Sequence, residues 1–433
     1  STDAKIICAV YDSDNRLKLI KEDNITIASG ESDAEKTIAL SGVEETDKIT
    51  FYFWNNGQNL YPVTDSYSYV VPGEISEYSL LDANVAENNV RICGRGEVVD
   101  YKADEDAAAV KTRTFNWTNS GFEFEFTGIV ASVYVDKSSY DDSVTNGNYF
   151  NVISRCEPNG EVSVNRIKLK QGWNEIFKAD KKGTYTIALK RSSEASRGTI
   201  GISKIRTDGE PRATLAKAKK IEFIGDSFTT GYANSPELSY SKSFCAQNSD
   251  NYNSYTGFVA REFDADYNVT AYEGKGVYVN SDGSTDCTMT DLFDCADVYV
   301  GNTDLNMSTR TKWDYGKFVP QLVTVFLGEN DMYGSKKVEN VETGFAQKYA
   351  VLLDKIRTAY PNAKVLCIAR EKGGYPELVR QAVTDRGGEN NGFYYLEIKN
   401  FSASSMGHPT VDEDRKIANR IIEKINTMDG LWN

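Results

Sequence analysis

Two all-β regions followed by an α/β domain with a parallel sheet are the fold class this sequence predicts. Three observations carry that prediction. Short apolar runs broken by Asp, Asn, Gly and Ser turns fill residues 1–75. A second strand-rich stretch runs over residues 90–210 without any helix-period segment. After Pro211 the period changes, and compact apolar runs alternate with amphipathic helical patterns. At 433 residues the chain holds two or three cores, at about 150 residues per domain.

The first region contains Ile6-Ile7-Cys8-Ala9-Val10-Tyr11, Ile25-Thr26-Ile27-Ala28 and Ile49-Thr50-Phe51-Tyr52-Phe53-Trp54, with Asp12-Ser13-Asp14-Asn15 as a turn. Regular short strands with turn signals read as a small accessory β-sandwich over 1–75. Pro72-Gly73 breaks the pattern, and polar residues 76–89 read as a linker. In the next region Phe122, Phe124 and Phe126 share one face of a strand, and Glu123 and Glu125 share the other. That period of two puts the Phe face in a core and the Glu face in water. Further strands follow at Ser132–Val135, Val162–Val164 and Thr184–Leu189, and the whole reads as a jelly-roll-like sandwich over 90–210. Over 211–433 the runs Ile221–Ile224, Val323–Leu327, Val365–Ala369 and Phe393–Leu396 are strand-length and wholly apolar. Phe345, Tyr349, Leu352, Leu353, Ile356 and Tyr360 fall on one helical face, as do Ile417, Ile421, Ile425 and Met428. Continuous strands between such helices form a parallel sheet covered on both sides.

Composition narrows the function. The chain carries 49 Lys and Arg against 63 Asp and Glu, a net charge of −14 with no basic stripe, so nucleic acid is excluded as a partner. No apolar run approaches the ~18–20 residues of a membrane helix, so no membrane span is expected. The 26 Tyr and 19 Phe suit sheet surfaces and sugar-stacking faces. Seven scattered Cys without a Cys-Xaa-Xaa-Cys pair, beside a single histidine, exclude zinc fingers and dense disulfide scaffolds. A start at Ser1 without a signal segment fits a mature exported chain.

Four blocks carry chemistry. The first α/β strand ends in Gly225-Asp226-Ser227-Phe228-Thr229-Thr230-Gly231-Tyr232. A serine at a tight strand-to-helix turn projects its hydroxyl while its N–H faces a substrate carbonyl. The same tripeptide alone is more often a plain helix N-cap. Gly274 follows the next strand and lets a backbone N–H approach the same point. Gly328-Glu329-Asn330-Asp331 ends the third, where Asn330 offers a side-chain N–H to an oxyanion. Each of these alone reads as turn chemistry. The lone histidine, His408, stands in Gly407-His408-Pro409-Thr410 just before the last helix, which Thr410 and Glu413 cap. It is the only imidazole available to activate Ser227.

In this order the four blocks resemble the SGNH, or GDSL-type, hydrolases. The run Ser120–Gly128, the segments Ile221–Gly231 and Glu273–Val277, and Trp313-Asp314-Tyr315 resemble carbohydrate esterase family 2 more narrowly. That resemblance covers roughly residues 90–430 and implies a jelly roll joined to an SGNH domain. It implies Ser227 as nucleophile, His408 as base, and an oxyanion hole from the Ser227 and Gly274 N–H groups and the Asn330 side chain. Asp226 and Asp331 become supports at the strand ends, and Trp313, Tyr333 and Tyr232 become candidate sugar contacts. The activity it implies is removal of O-acetyl groups from xylan or glucomannan by an exported bacterial esterase, without metal or organic cofactor. Acetylated polysaccharide or oligosaccharide is then the partner, beside other modules of a larger secreted enzyme. The rivals are a lipid or thioester hydrolase on the same scaffold and a non-catalytic carbohydrate-binding or adhesion protein. One departure stands out. SGNH enzymes carry an Asp two or three residues before the histidine, where this chain has Met406 and Ser405. Either a backbone carbonyl or a distant carboxylate then orients the imidazole, and a carbonyl of Ser405–Gly407 is the expectation.

Overall fold

The computed structural model describes residues 2–27, 36–55, 62, 64–82, 87–101, 108–138, 147–235, 246–298, 310–400, 402 and 407–432. Strands Thr2–Tyr11 (β1), Leu17–Ile27 (β2), Lys48–Asn55 (β3) and Tyr67–Val70 (β4) form an antiparallel sheet in the order β2-β1-β3-β4. The predicted runs 6–11 and 49–54 lie in β1 and β3, and 25–27 in β2. Ala28 lies outside the described residues.

Ten strands build the middle domain. They are Ser76–Ser79 (β5), Arg91–Cys93 (β6), Val98–Tyr101 (β7), Val110–Phe115 (β8), Gly121–Ser138 (β9), Tyr149–Cys156 (β10), Ser163–Lys168 (β11), Gly172–Arg191 (β12), Ile200–Thr207 (β13) and Arg212–Ala213 (β14). Their main path is β11-β10-β12-β9-β13-β8-β7, with β5 on β13 and both β6 and β14 on β9. The long strands β9 and β12 pair twice, once near each end, with register shifts between. The sheet folds over a core of Phe122, Phe124, Phe126, Val133, Val135, Ile187 and Leu189. Two expectations need correction. Ser76–Ser79, read as linker, is antiparallel to β13 from Lys204 to Thr207. The α/β domain starts later than 211, because Arg212 and Ala213 still pair with Glu125 and Phe124. Short polar edge strands such as Ser-Glu-Tyr-Ser carry no alternation to detect.

The last domain is a five-stranded parallel sheet of Lys219–Gly225 (β15), Ala265–Ala271 (β16), Leu322–Phe326 (β17), Lys364–Arg370 (β18) and Phe393–Ile398 (β19), ordered β16-β15-β17-β18-β19. Its described helices are Ser227–Thr230 (α1), Tyr255–Glu262 (α2), Met289–Leu292 (α3), Glu329–Gly334 (α4), Val341–Ala359 (α5), Pro376–Asp385 (α6) and Val411–Ile425 (α7). One face of the sheet packs on Phe345, Tyr349, Leu352, Leu353, Ile356 and Val379 of α5 and α6. The other packs on Tyr255, Phe258, Val259, Ile417 and Ile421 of α2 and α7. All five residues of β17 are buried, as burial on both faces requires.

The middle and last domains share buried polar contacts. Arg95 Nη2 lies 2.8 Å from Glu222 Oε1 on β15, and both side chains are buried. Arg91 bridges Glu123 at 3.1 Å and Asp266 at 2.9 Å. Glu123, expected to face water, therefore faces the domain seam.

Candidate active site

Every motif residue but one sits at the carboxyl edge of the sheet. Strand β15 ends at Gly225, where a Cβ would collide with Thr229 Oγ1. The chain turns at once into α1: Asp226 caps it by accepting the Phe228 N–H at 3.0 Å, and Gly231 closes it at φ +81°. Ser227 is thus the first helical residue, 7% exposed. His408 comes from the segment before α7, between Gly407 at φ +74° and Thr410, which caps α7 by accepting the Glu413 N–H. Its Nε2 lies 2.8 Å from Ser227 Oγ. Phe228 meets the imidazole edge-on at 5.2 Å between centroids, and Tyr232 lies over it at 4.4 Å. Two rings fix the plane in which the imidazole can face the hydroxyl.

Gly274 takes φ +73°, the left-handed region that favours glycine. Its carbonyl accepts the Ser281 N–H at 2.8 Å. Among the described residues no protein acceptor takes the N–H of Ser227 or of Gly274. Asp331 holds the same loop from below: its carboxylate accepts the N–H groups of Val277, Tyr278 and Val279 at 2.8, 2.7 and 2.8 Å. Asn330 is already engaged. Its Nδ2 lies 3.1 Å from Asp226 Oδ2 and 3.0 Å from Lys275 O, so both amide hydrogens have protein acceptors. It ties the ends of β15, β16 and β17 together, and one of its N–H groups must be shared to reach an oxyanion.

Burial pushes the Asp226 carboxyl up to about 8, helped by Glu329 and Asp331 and opposed by the Phe228 N–H. Burial likewise raises Asp331 against the pull of its three N–H donors. Glu329 is held by Arg370, whose Nε lies 2.5 Å from its Oε1.

The structure therefore gathers Ser227, His408, Gly274, Asn330, Asp226, Asp331 and Tyr232. Tyr333, 74% exposed on α4, stands three residues from Asn330. Trp313 is elsewhere: it is 7% exposed and packs on the Arg95 guanidinium at 5.5 Å. That environment is the domain seam, so the structure does not bring Trp313 to the Ser227–His408 pair. Ser405 and Met406 lie outside the described residues. Sequence reading missed Glu194, Ser196, Arg197 and Glu273. Ser196 Oγ and Arg197 Nη2 of the middle domain both lie 2.7 Å from Glu273 Oε1, beside Gly274.

An acyl-transfer site follows from this arrangement. A serine hydroxyl one hydrogen bond from an imidazole, with unspent N–H groups beside it on a parallel sheet, is the class signature of a serine-hydrolase α/β domain. Residues 223–424 match the GDSL-like lipase/acylhydrolase family, and this chain carries that domain.

The relatives agree with it. The chain is 29% identical over 337 residues to the cellulase/esterase CelE of Acetivibrio thermocellus, covering 72% of this chain and 37% of that one. This chain thus matches about a third of that relative's length. It is 24% identical over 265 residues to an acetylxylan esterase/glucomannan deacetylase of Cellvibrio japonicus, covering 58% and 71%. In fold it is similar to a family two carbohydrate esterase from Cellvibrio japonicus, with TM-score 0.66 and 17% identity over 83% of this chain and 99% of that one.

Proposed function

We propose that this chain is a serine esterase that removes O-acetyl groups from plant cell-wall polysaccharide or oligosaccharide. The observation that carries it is the 2.8 Å contact between Ser227 Oγ and His408 Nε2, at the mouth of two unspent backbone N–H groups. His408 Nε2 takes the serine proton as Oγ attacks the acetyl carbonyl. The tetrahedral oxygen collects charge and is met by the N–H groups of Ser227 and Gly274, with Asn330 sharing one of its own. The imidazolium then protonates the departing sugar oxygen, which leaves acetyl on Ser227. Water, deprotonated by the same imidazole, releases acetate and restores the serine. No step calls for a metal or an organic cofactor.

The names of the two curated relatives support carbohydrate as the alcohol, and the exposed Tyr333 beside Asn330 offers a face on which a sugar ring can stack. Action on xylan or glucomannan, and export by a bacterial host, belong to the same proposal. The test is acetate release from acetylated xylan and glucomannan, with Ser227→Ala as control. Release by the wild type alone supports the reading. A wild type that binds polysaccharide but releases no acetate overturns it in favour of a binding protein. Preference for octanoyl over acetyl p-nitrophenyl esters would point instead to a lipid-type hydrolase.

A further inference from the structure

The middle domain touches the elements that carry Ser227 and Gly274 at the turn Ala195–Arg197, which follows β12. The turn is built from inside. Arg191, fully buried, donates to the carbonyls of Phe115, Glu194 and Arg197 and to Asn148 Oδ1. Asn116 Nδ2 donates to the carbonyls of Ala195 and Gly198 at 2.8 and 2.9 Å. Four carbonyls of the turn, those of Glu194, Ala195, Arg197 and Gly198, are thus held before any contact with the other domain is counted.

From that turn two side chains touch the elements that carry the chemistry. Glu194, fully buried, contacts Thr230 Oγ1, the last residue of the helix that opens with Ser227. Thr230 Oγ1 in turn lies 2.9 Å from the Ser227 carbonyl oxygen. Arg197 and Ser196 hold Glu273, the residue before Gly274.

We propose that this turn is a positioning element of the catalytic centre, with Glu194 holding the nucleophile helix and Arg197 holding the oxyanion loop. The proposal rests on the acyl-serine reading above. Hydrogen counting assigns the protons. Thr230 has one hydroxyl hydrogen and faces two oxygens, Glu194 Oε1 and Ser227 O. Both contacts are full two-centre hydrogen bonds when Glu194 is neutral and donates to Thr230, which then donates to the Ser227 carbonyl. The ion pairing agrees: Arg197 Nη2 lies 2.7 Å from Glu273 Oε1, so the ion pair of this turn goes to Glu273. Burial and the neighbouring Glu273 also raise the Glu194 carboxyl well above its ordinary range. The bond of Glu273 to Arg197 then sets the peptide that presents the Gly274 N–H.

The test uses the full chain, p-nitrophenyl acetate, and rates normalised to sites titrated with a serine-reactive phosphonate. Displacing reacting groups by about 1 Å can cost on the order of 10²-fold, so a loosened loop should lose roughly 10-fold or more. Arg197→Ala is expected to lower kcat by about that factor with KM changed less than about threefold, because the loop acts on the transition state. Arg197→Lys, which can still reach Glu273, should recover most of it. Glu194→Gln keeps a donor to Thr230 and should match the wild type, whereas Glu194→Ala should fall about 10-fold. Should Arg197→Ala fail to fold, Glu273→Gln keeps the Ser196 bond, removes only the charge, and should lose several-fold in kcat. Variants Arg197→Ala, Glu273→Gln and Glu194→Ala with kcat within twofold of the wild type overturn the proposal. Glu194→Gln as impaired as Glu194→Ala overturns the neutral assignment of Glu194. An inactive wild type would refute the esterase reading itself, before any variant is compared.

Discussion

Asp331→Asn is the substitution that separates site geometry from site chemistry, because Asp331 touches no reacting atom. Its Oδ2 accepts one N–H, from Val277, and its Oδ1 accepts two, from Tyr278 and Val279. In asparagine one of those oxygens becomes an NH2 group that faces an N–H donor. The cheaper orientation places the nitrogen at Oδ2 and loses a single bond. A hydrogen bond to a charged group contributes ~1.5–3 kcal/mol, and the two remaining bonds lose their charge assistance, so the change should cost about 2–3 kcal/mol. At ~2–4 °C per kcal/mol for a domain of this size, the melting transition should fall by about 4–12 °C. The rate should fall further than stability suggests. Val277 lies three residues from Gly274, and losing one oxyanion donor outright costs ~10²–10³-fold. A displaced donor should therefore lower kcat by about 10- to 100-fold, measured well below the transition on p-nitrophenyl acetate. Calorimetry and kinetics on one preparation read both. A variant that melts within 1 °C of the wild type and turns over within twofold, each about the limit of such assays, would refute the role given to this carboxylate.

Four other outcomes follow from the same geometry. His408→Ala should lower kcat/KM by about 10⁴-fold or more while melting like the wild type, and substantial residual turnover would mean another base serves Ser227. Asn330→Ala should cost activity and stability together, since its amide ties Asp226 to Lys275, and a loss of kcat at unchanged melting temperature would mark it as an oxyanion donor only. Asp226 and Asp414 are buried and held near 8, so the folded chain keeps protons that the unfolded chain releases near ~4. Stability from these groups is full below about 4 and is lost as pH climbs to about 8, so the denaturant midpoint should be lower at pH 8 than at pH 5, and the reverse order would contradict their burial. A fragment starting at residue 214 should aggregate, because Glu222 would keep its place in the central strand without Arg95, a loss of ~3–5 kcal/mol for a broken buried pair. A soluble, fully active fragment would show that the seam carries no weight.

Most of the sheet was legible because burial on two faces leaves an unbroken apolar run, as in Val323–Leu327, and burial on one face leaves alternation, as in Phe122–Phe126. The nucleophile turn was legible for a similar reason: Gly225 and Gly231 mark places where only a bare backbone fits, and Asp226 marks a cap. His408 stood out by being the only imidazole. What stayed hidden has no periodicity and no local motif. Ser76–Ser79 is a polar edge strand, and only its partner on β13 makes it one. Glu194, Arg197 and Glu273 are ordinary surface types in sequence, and their meaning comes from elements that meet only after two domains have folded. Trp313 misled because an aromatic near a sugar site and an aromatic under a buried arginine look alike in a sequence. Asn330 misled in a smaller way: its residue type suits an oxyanion, while its two protein acceptors emerge only from the strand order.

The seam between the domains gives a physical reason for the α/β domain to keep its β-rich neighbour. A charge at the middle of β15 would be costly in an isolated catalytic domain, since burying an unpaired carboxylate forces it to neutralise or to unfold its surroundings. Glu222 is fully buried at that position. Its charge is met by Arg95, which reaches in from the middle domain, and by Thr270 Oγ1 at 2.5 Å on the neighbouring strand. Arg95 in turn is roofed by the rings of Phe293, Trp313 and Tyr315, all within 6 Å of its guanidinium carbon. Thr270, Asn268 and Tyr360 of its own domain donate to Glu222, and the cation comes from the other domain. The same logic holds at the carboxyl edge, where Glu273 takes its cation from Arg197. One domain supplies Ser227, His408 and the sheet, and the other supplies the cations that face buried Glu222 and half-buried Glu273. On the esterase reading proposed above, the pair of domains is expected to act as one unit, and a chain that begins before Arg91 is expected to be active where one that begins at β15 is not.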